Sequence, residues 1–422
     1  MSWEQWVSIV ALVLAVAGLA VGLAVWRAVK ARTPSFSRDE PEAPPAEDDD
    51  ATPAGPPAVV FNPSKTADGD RLRALVTQSA AEAGLGEPLW YETTIEDPGL
   101  GQAREAVAAG ASVVIAAGGD GTVRAVAEAL AGTSTPMALL PLGTGNLLAR
   151  NLDLPLGDER EMVATALTGR DRPIDLGWLR TEPLSPEHAR REAGSPDASS
   201  AASSDKTDSA EAAEGRYNDP AKPEDGSSEG PPKVEAGALP ASDPDKEHVF
   251  LVIGGMGFDA AMVSAADDEL KAKIGWAAYF FAGVKHLTGR KVRATLELGT
   301  SDASETFSAR TVLFANCGRL PGGVVLFPDA QLDDGWLDIA AINTKGGLIG
   351  WADLLRKVIL QGIGIRKDLV PYSTGTIDFR RARTVTVRTE EPEHVQVDGD
   401  LVGMATVVHA RVEASGLVVR TS

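Results

Sequence analysis

The sequence predicts a doubly wound α/β domain, then a β-sandwich-rich domain, with one membrane-spanning helix at the N-terminus. Three observations predict this. From Ala58 to Arg150, short apolar runs alternate with helix-period segments in the order of a parallel sheet covered on both faces. From Ala294 onward strands dominate and one amphipathic helix interrupts them, which argues mostly antiparallel pairing. Val7 to Trp26 is a run of twenty residues in which Ser8 is the one polar side chain. At the helical rise such a run spans roughly 30 Å, one hydrocarbon core.

In chain order, residues 1–32 are read as the membrane helix and its flanks. Trp3, Trp6 and Trp26 bracket it like interfacial aromatics. Arg27, Lys30 and Arg32 follow it and no Lys or Arg precedes it, the reverse of a cleaved signal peptide. The positive-inside rule then places the bulk of the chain on the cytoplasmic face of the cell membrane, as a single-pass protein. The alternative is a buried core helix. Ala11, Ala15, Gly18 and Gly22 are spaced for helix pairing, and so for a homodimer, although Ala-rich composition gives the same pattern.

The formal net charge of −20 over 422 residues is unevenly placed. Residues 33–57 hold seven acids and one base, and residues 181–247 hold sixteen acids and seven bases. Both segments are rich in Pro, Ser and acids without periodicity, and read as a disordered tether and a disordered insert. What remains is only mildly acidic, and nothing in it suggests a nucleic-acid partner. The single cysteine, Cys317, excludes an intrachain disulfide and reads as buried packing.

The first domain, 58–155, opens with the strand Ala58 to Asn62 and the turn Asn62-Pro63-Ser64-Lys65-Thr66. A helix at Arg71 to Ala83, a strand ending in Thr93-Thr94 and a helix at Gln102 to Ala109 follow. The strand Ala111 to Ala117 then runs into Gly118-Gly119-Asp120-Gly121-Thr122-Val123 at a strand-to-helix switch. Glycines there let a ligand approach the backbone, and free N–H groups at a helix start suit an anion such as phosphate. Asp120 adds a carboxylate that Mg²⁺ or a sugar hydroxyl could meet. A plain Gly-rich turn is the alternative for this stretch alone. One βαβ spacing later comes Pro141-Leu142-Gly143-Thr144-Gly145-Asn146, a second turn of the same kind. Two such turns on neighbouring strand ends make a site at the carboxyl edge of a sheet.

GGDGTV followed by PLGTGNLLAR resembles the diacylglycerol kinase catalytic domain of bacterial lipid kinases and sphingosine kinases. The resemblance implies a first domain like that of NAD kinases and phosphofructokinases. It implies ATP bound by Asn62, Pro63, Ser64, Lys65, Thr66, Thr93, Gly118, Gly119, Asp120, Gly121, Thr122, Val123, Gly143, Thr144, Gly145 and Asn146. Many members follow GGDGTV with Asn-Glu, where this chain has Arg124-Ala125.

The second domain is read as 156–180 and 248–404, interrupted by the insert, with strands at 405–422 that return toward the first domain. It contains the strands Pro173 to Leu179 and His248 to Ile253, paired as a hairpin in the resembled family. Gly255-Met256-Gly257-Phe258-Asp259-Ala260 mimics a dinucleotide fingerprint but has no acidic partner strand, and matches the family's Gly-Phe-Asp-Ala stretch. Leu270 to Arg290 and Leu348 to Gly362 are predicted helices, the first with an aromatic middle and basic ends that suit either a core or a bilayer surface. The resemblance also implies a structural Mg²⁺ held by Gln331, Asp334 and the Trp336 carbonyl, for which an acidic turn is the alternative. It implies further that Asp398, in Val397-Asp398-Gly399-Asp400, is the catalytic base, with Asp120 beside the reacting phosphates. The family has Asp-Gly-Glu at that place, and Asp400 shortens it.

The expected activity is therefore an ATP- and Mg²⁺-dependent kinase acting on a membrane lipid hydroxyl, with diacylglycerol as the leading substrate. Two other readings remain open: an NAD kinase-like enzyme acting on a soluble metabolite, and a catalytically weak lipid-binding scaffold.

Overall fold

The structure, a computed structural model, describes residues 55–66, 68–186, 188, 246–257, 292–299, 304–320, 324–344 and 375–422. In the first domain the strands are β1 (Pro57–Phe61), β2 (Leu89–Glu92), β3 (Val113–Gly118) and β4 (Met137–Pro141). They are parallel in the order β2-β1-β3-β4. β1 and β3 are buried along their whole length, as continuous apolar runs must be in a sheet covered on both faces.

Five helices cover this sheet: α1 (Gly69–Glu82), α2 (Leu100–Ala108), α3 (Asp120–Leu130), the short α4 (Leu147–Asn151) and α5 (Glu159–Thr168). Alternate residues of each strand point to opposite faces. Val60, Ala116 and Leu139 meet Ala103 and Ala106 of α2 and Val126 and Leu130 of α3 on one face. Val59, Ile115 and Leu140 meet Leu72 and Val76 of α1 and Val163 and Leu167 of α5 on the other. The first domain is thus doubly wound, with its order reversing between β1 and β3.

The second domain begins with β5 (Arg170–Thr181), followed by β6 (His248–Phe250), β7 (Ile253–Met256), β8 (Val292–Leu298), β9 (Ser304–Ala309) and β10 (Thr311–Ala315). A small hairpin, β11 (Arg319–Leu320) and β12 (Val324–Val325), precedes β13 (Leu337–Thr344), β14 (Gly375–Ala382), β15 (Thr384–Val397) and β16 (Asp400–Thr421). Pairing among its long strands is antiparallel, around a core that includes Phe250, Met256, Phe314, Ile339, Val387 and Val408. β16 starts at the β15–β16 turn, pairs along β5, and ends parallel to β4 through Val419 and Met137.

His248 to Ile253 is expected as one strand, but pairing stops after Phe250 and resumes at Ile253. The break at Leu251-Val252 turns backbone amides away from the sheet.

The expected single-pass membrane localisation requires correction. Among the described residues, no helix is long and apolar enough to cross a membrane. Val7 to Trp26, the tether, most of the insert, both predicted helices at 270–290 and 348–362, and Phe258 to Ala260 lie outside the described residues.

Candidate active site

The carboxyl ends of β1 and β3, where the strand order reverses, are the usual place for a ligand in an open α/β sheet. The Asn62 amide donates to the Ala117 carbonyl at 2.9 Å, which ties the turn after β1 to the end of β3. Asn62 Oδ1 accepts from the Ser64 amide at 3.0 Å and the Ser64 hydroxyl at 2.7 Å, capping the short helix Pro63–Lys65. Its Nδ2 donates to Thr122 Oγ1 at 3.5 Å. Pro63, Ser64 and Lys65 are exposed at this rim, and Thr66 is half-buried beside them. Thr93, just past β2, is buried, and its amide donates to the Phe61 carbonyl.

The glycines are required by close approach. A Cβ on Gly118 would lie 2.6 Å from Thr122 Cβ, one on Gly143 would lie 2.8 Å from Gly119 Cα, and one on Gly145 would lie 2.5 Å from Asp120 Oδ2. The two turns therefore touch through bare backbone. Gly119 and Gly121 differ from these three. A Cβ on Gly121 would meet nothing within 4 Å, and one on Gly119 would meet only Gly143 Cα and the Lys65 Cε at 3.7 and 3.8 Å. This is the open side of the cradle. Gly119 caps α3 without a side-chain hydrogen bond, so no capping side chain occupies the amides of the first turn at the positive end of the helix dipole. Lys65 adds a cation. These features fit the phosphates of a nucleotide.

Asp120 faces inward. Its Oδ2 accepts from the Asn146 amide at 3.0 Å and its Oδ1 from the Leu147 amide at 2.7 Å, so it caps α4. Asn146, left-handed with φ of 48°, accepts from the Gly143 amide at 3.1 Å and donates to the Gly143 carbonyl at 2.8 Å. The second turn thus uses the Gly143, Asn146 and Leu147 amides on itself and on Asp120. Thr144 is its exposed tip. The Val123 amide closes the first turn of α3 onto the Gly119 carbonyl, and its side chain is core. Burial pushes the Asp120 carboxyl above the ordinary aspartate range, with the amides of Leu147 and Asn146 opposing.

Asp398 and Gly399 form the two-residue turn between β15 and β16, with Val397 paired to Asp400. Both have positive φ, 48° and 92°, as the tight hairpin turn of an Asp-Gly pair demands. The Asp398 carboxylate receives the amides freed by the break after β6. Leu251 donates to Oδ2 at 2.7 Å, and Val252 and Ile253 donate to Oδ1 at 3.0 and 2.9 Å. Burial raises this carboxyl above the ordinary range, while the Leu251 and Ile253 amides and the Arg124 charge pull it down.

Arg124, one turn into α3, joins the two domains. Its Nη1 donates to the Val397 carbonyl at 2.7 Å and its Nη2 to Asp400 Oδ2 at 2.6 Å. The structure thus brings the glycine cradle and Asp398 together.

Gln331, Asp334 and Trp336 are arranged differently. Asp334 Oδ1 accepts from the Trp336 amide at 3.0 Å, and its Oδ2 is paired with the Arg381 guanidinium, which also lies 3.4 Å from Asp338. The loop is braced from β5, where buried Asp175 accepts the Gly335 amide at 2.6 Å and the Ser415 amide at 2.8 Å. Gln331 is exposed, on a cavity of about 300 Å³ that Arg172 and Arg319 also line. Among the described residues no group of three or more His, Cys, Asp or Glu is placed to hold a metal. Arg381 already supplies the positive charge at Asp334, so this set does not fit a structural Mg²⁺. Nothing in the sequence announced Arg381, or the amides of Leu251 to Ile253.

Comparison with known proteins matches both domains. Residues 56–179 match the model of the diacylglycerol kinase catalytic domain, and residues 253–419 match that of the YegS C-terminal NAD kinase beta sandwich-like domain. A protein of Pseudomonas aeruginosa (strain UCBPP-PA14) named "Probable lipid kinase YegS-like" is 28% identical over 293 residues, which is 68% of this chain and 72% of that protein. One of the same name from Pseudomonas putida is 27% identical over 248 residues, 58% of this chain and 61% of that protein. A crystal structure described as a diacylglycerol kinase from Bacillus anthracis str. Sterne superposes with a TM-score of 0.57 at 17% identity, covering 87% of this chain and 97% of that one. At that identity the likeness speaks for the fold alone. The two domain models together span well over half of the sequence, and the chain belongs to the diacylglycerol kinase catalytic domain family of lipid kinases.

Proposed function

We propose that this chain transfers a phosphoryl group from ATP, with Mg²⁺, to the hydroxyl of a lipid, diacylglycerol being the leading substrate. The observation that carries the reading is the junction of the cradle and the Asp398 turn through Arg124. Bound Mg·ATP would supply the phosphoryl group and the neutralising metal charge. The first-turn amides of α3 and Lys65 bind the phosphates, and Asp120 holds the second turn against the first. Asp398 accepts the proton of the attacking hydroxyl. An ionised carboxylate offers about four acceptor sites. Three are taken by the amides of residues 251–253, two on Oδ1 and one on Oδ2, so Oδ2 keeps one for the substrate. Those amides also hold the carboxylate in one orientation, and positioning is much of what phosphoryl transfer asks of a protein.

The grip on Asp398 also favours a second reading, a lipid-binding protein that catalyses weakly, because a carboxylate so occupied can serve the turn alone. One experiment separates them: Mg·ATP-dependent labelling of a lipid extract by the parent protein and by Asp398→Asn. The kinase reading expects labelled lipid from the parent and a loss of at least about 10²-fold in the variant, with ATP binding retained. Binding of lipid and ATP without transfer by the parent leaves the second reading.

A further inference from the structure

We propose that Arg124 is a positioning residue that fixes the Asp398–Gly399 turn against the nucleotide cradle. This rests on the kinase reading for its catalytic meaning and on geometry for the rest. The guanidinium takes hold of both residues that flank the turn, Val397 through its carbonyl and Asp400 through its carboxylate. A planar fork with donors on separate nitrogens can span two acceptors in this way, which an ammonium cannot do with the same rigidity. From its own domain the turn is held by Leu251 to Ile253 on the Asp398 carboxylate, by the Asp398 amide on the Ile253 carbonyl at 2.8 Å, and by Gln396 Oε1 on the Gly399 amide at 2.7 Å. Arg124 is the contact that comes from the helix whose start forms the cradle.

A brace for stability is the plainer account, and exposure argues against it. The Asp400 side chain is 60% exposed, and ion pairs open to solvent on one side contribute little to folding. The two domains are joined more extensively by β16, which pairs with β5 and reaches β4. What the contact fixes is a distance between two parts of one site. Arg124 and Asp400 each depart from the family pattern of their motif, and here they meet: a cation faces a shortened acid.

The charge of Arg124 has a second effect. It faces Asp398 from α3; Asp400 lies on the hairpin itself, and the buried Cys317 thiol, held neutral by burial, lies on the segment after β10. Without Arg124 the carboxylate loses an opposite charge, so it ionises at higher pH.

The test compares the parent with Arg124→Ala, Arg124→Lys, Asp400→Ala and the Arg124→Ala/Asp400→Ala double variant. Short-chain diacylglycerol in detergent micelles is the acceptor, a fluorescent ATP analogue measures binding, and hydrogen exchange is followed at Leu251 to Ile253 and Asp398. We expect kcat of Arg124→Ala to fall by between about 10- and 10²-fold, the range that a misplacement near 1 Å produces, while affinity for the ATP analogue holds. Arg124→Lys should recover part of the loss, and the double variant should lose no more than Arg124→Ala. The acid limb of the pH–rate profile should move upward, and exchange at the four amides should quicken. Unchanged exchange at those amides in Arg124→Ala overturns the proposal whatever the activity. So does parent-level kcat in that variant when the parent is active. Quickened exchange with a parent that transfers no phosphate upholds the positioning and removes the kinase reading instead. A variant that fails to fold, seen as a collapsed melting transition, means that the contact is structural and also overturns it; Arg124→Lys guards against mistaking lost bulk for that result.

Discussion

The glycine cradle and the hairpin tip each place a partly buried aspartate against backbone amides, Asp120 against two and Asp398 against three. Burial raises both carboxyls above the ordinary aspartate range. They differ in where the amides come from. Asp120 grips the next turn of the same domain, and its own place at the start of α3 is fixed by sequence neighbours. Asp398 is gripped by a kinked segment far from it in sequence, and Arg124 reaches across from the cradle's helix to both residues that flank its turn. The first carboxylate holds a shape together. The second is held by a shape, with an acceptor site left for chemistry.

That contrast is testable, and the largest effect belongs to the hairpin. Asp398→Asn should cost at least about 10²-fold in lipid phosphorylation while ATP binding persists. If turnover stays at the parent rate, the difference in use drawn between the two aspartates is wrong.

Asp120→Asn should break shape before chemistry. One of the amides of Asn146 or Leu147 would face an NH₂ group in place of an acceptor. Leaving such a donor unsatisfied costs about 1–3 kcal/mol. Weaker binding of the ATP analogue and a lower melting temperature should therefore accompany any fall in kcat. A variant that keeps parent stability and nucleotide affinity but loses turnover would give Asp120 the more direct role.

The pH dependence sharpens the comparison further. The folded value of Asp398 lies above its unfolded value, so the folded state holds the proton between the two. The stability this confers is full below the unfolded value and is lost as pH rises through the folded one. Base activity needs the ionised form and rises over the same window. Denaturant midpoints and rates measured along one acid series should thus run in opposite directions, and Asp398→Asn should flatten part of the stability slope. Asp120 shares the direction of shift, so the parent-minus-variant difference isolates Asp398. An acid limb at or below the ordinary aspartate range would contradict the assignment.

The smallest effect is expected from the insert. Replacing residues 189–245 with a Gly-Ser link keeps Glu182, paired with His409 at 2.8 Å, and Glu247, paired with Arg411 at 2.7 Å. Composition of that kind cannot bury a core, so the melting temperature and rate should stay near those of the parent. A large loss of stability would show that the segment folds onto the body.

The cradle was legible in the sequence because its contacts are local. Gly118, Gly143 and Gly145 are where the motifs put them, and each is needed within one pair of turns. The alternation of strands and helices gave the doubly wound order for the same reason. Asp398 was legible as a motif, but its surroundings were not. Leu251 and Val252 are apolar residues in an apolar run, and no signal marks the break that frees their amides. Arg124 stood out only as a departure from the family pattern, and its partner was invisible until the fold set Asp400 beside it. The structural Mg²⁺ expected at Gln331, Asp334 and Trp336 rested on the family resemblance of the loop, which does not reveal that Arg381 pairs with Asp334. The membrane localisation rested on hydropathy, flanking tryptophans and one-sided positive charge within residues 1–32, and no helix among the described residues answers to it.

The path of β16 bears on how the molecule is made. This strand begins beside Asp398 and ends beside Met137, so the sheet of the first domain is completed by residues near the far end of the chain. During synthesis β1 to β4 emerge long before their neighbour exists, and the outer edge of β4 waits with unpaired backbone groups. Such an edge invites pairing with other chains. Domains of this size usually fold as units as they leave the ribosome. Here the sheet of the first domain depends on a strand made after most of the second domain, and a nascent chain halted before β16 would expose the edge of β4 that this strand covers.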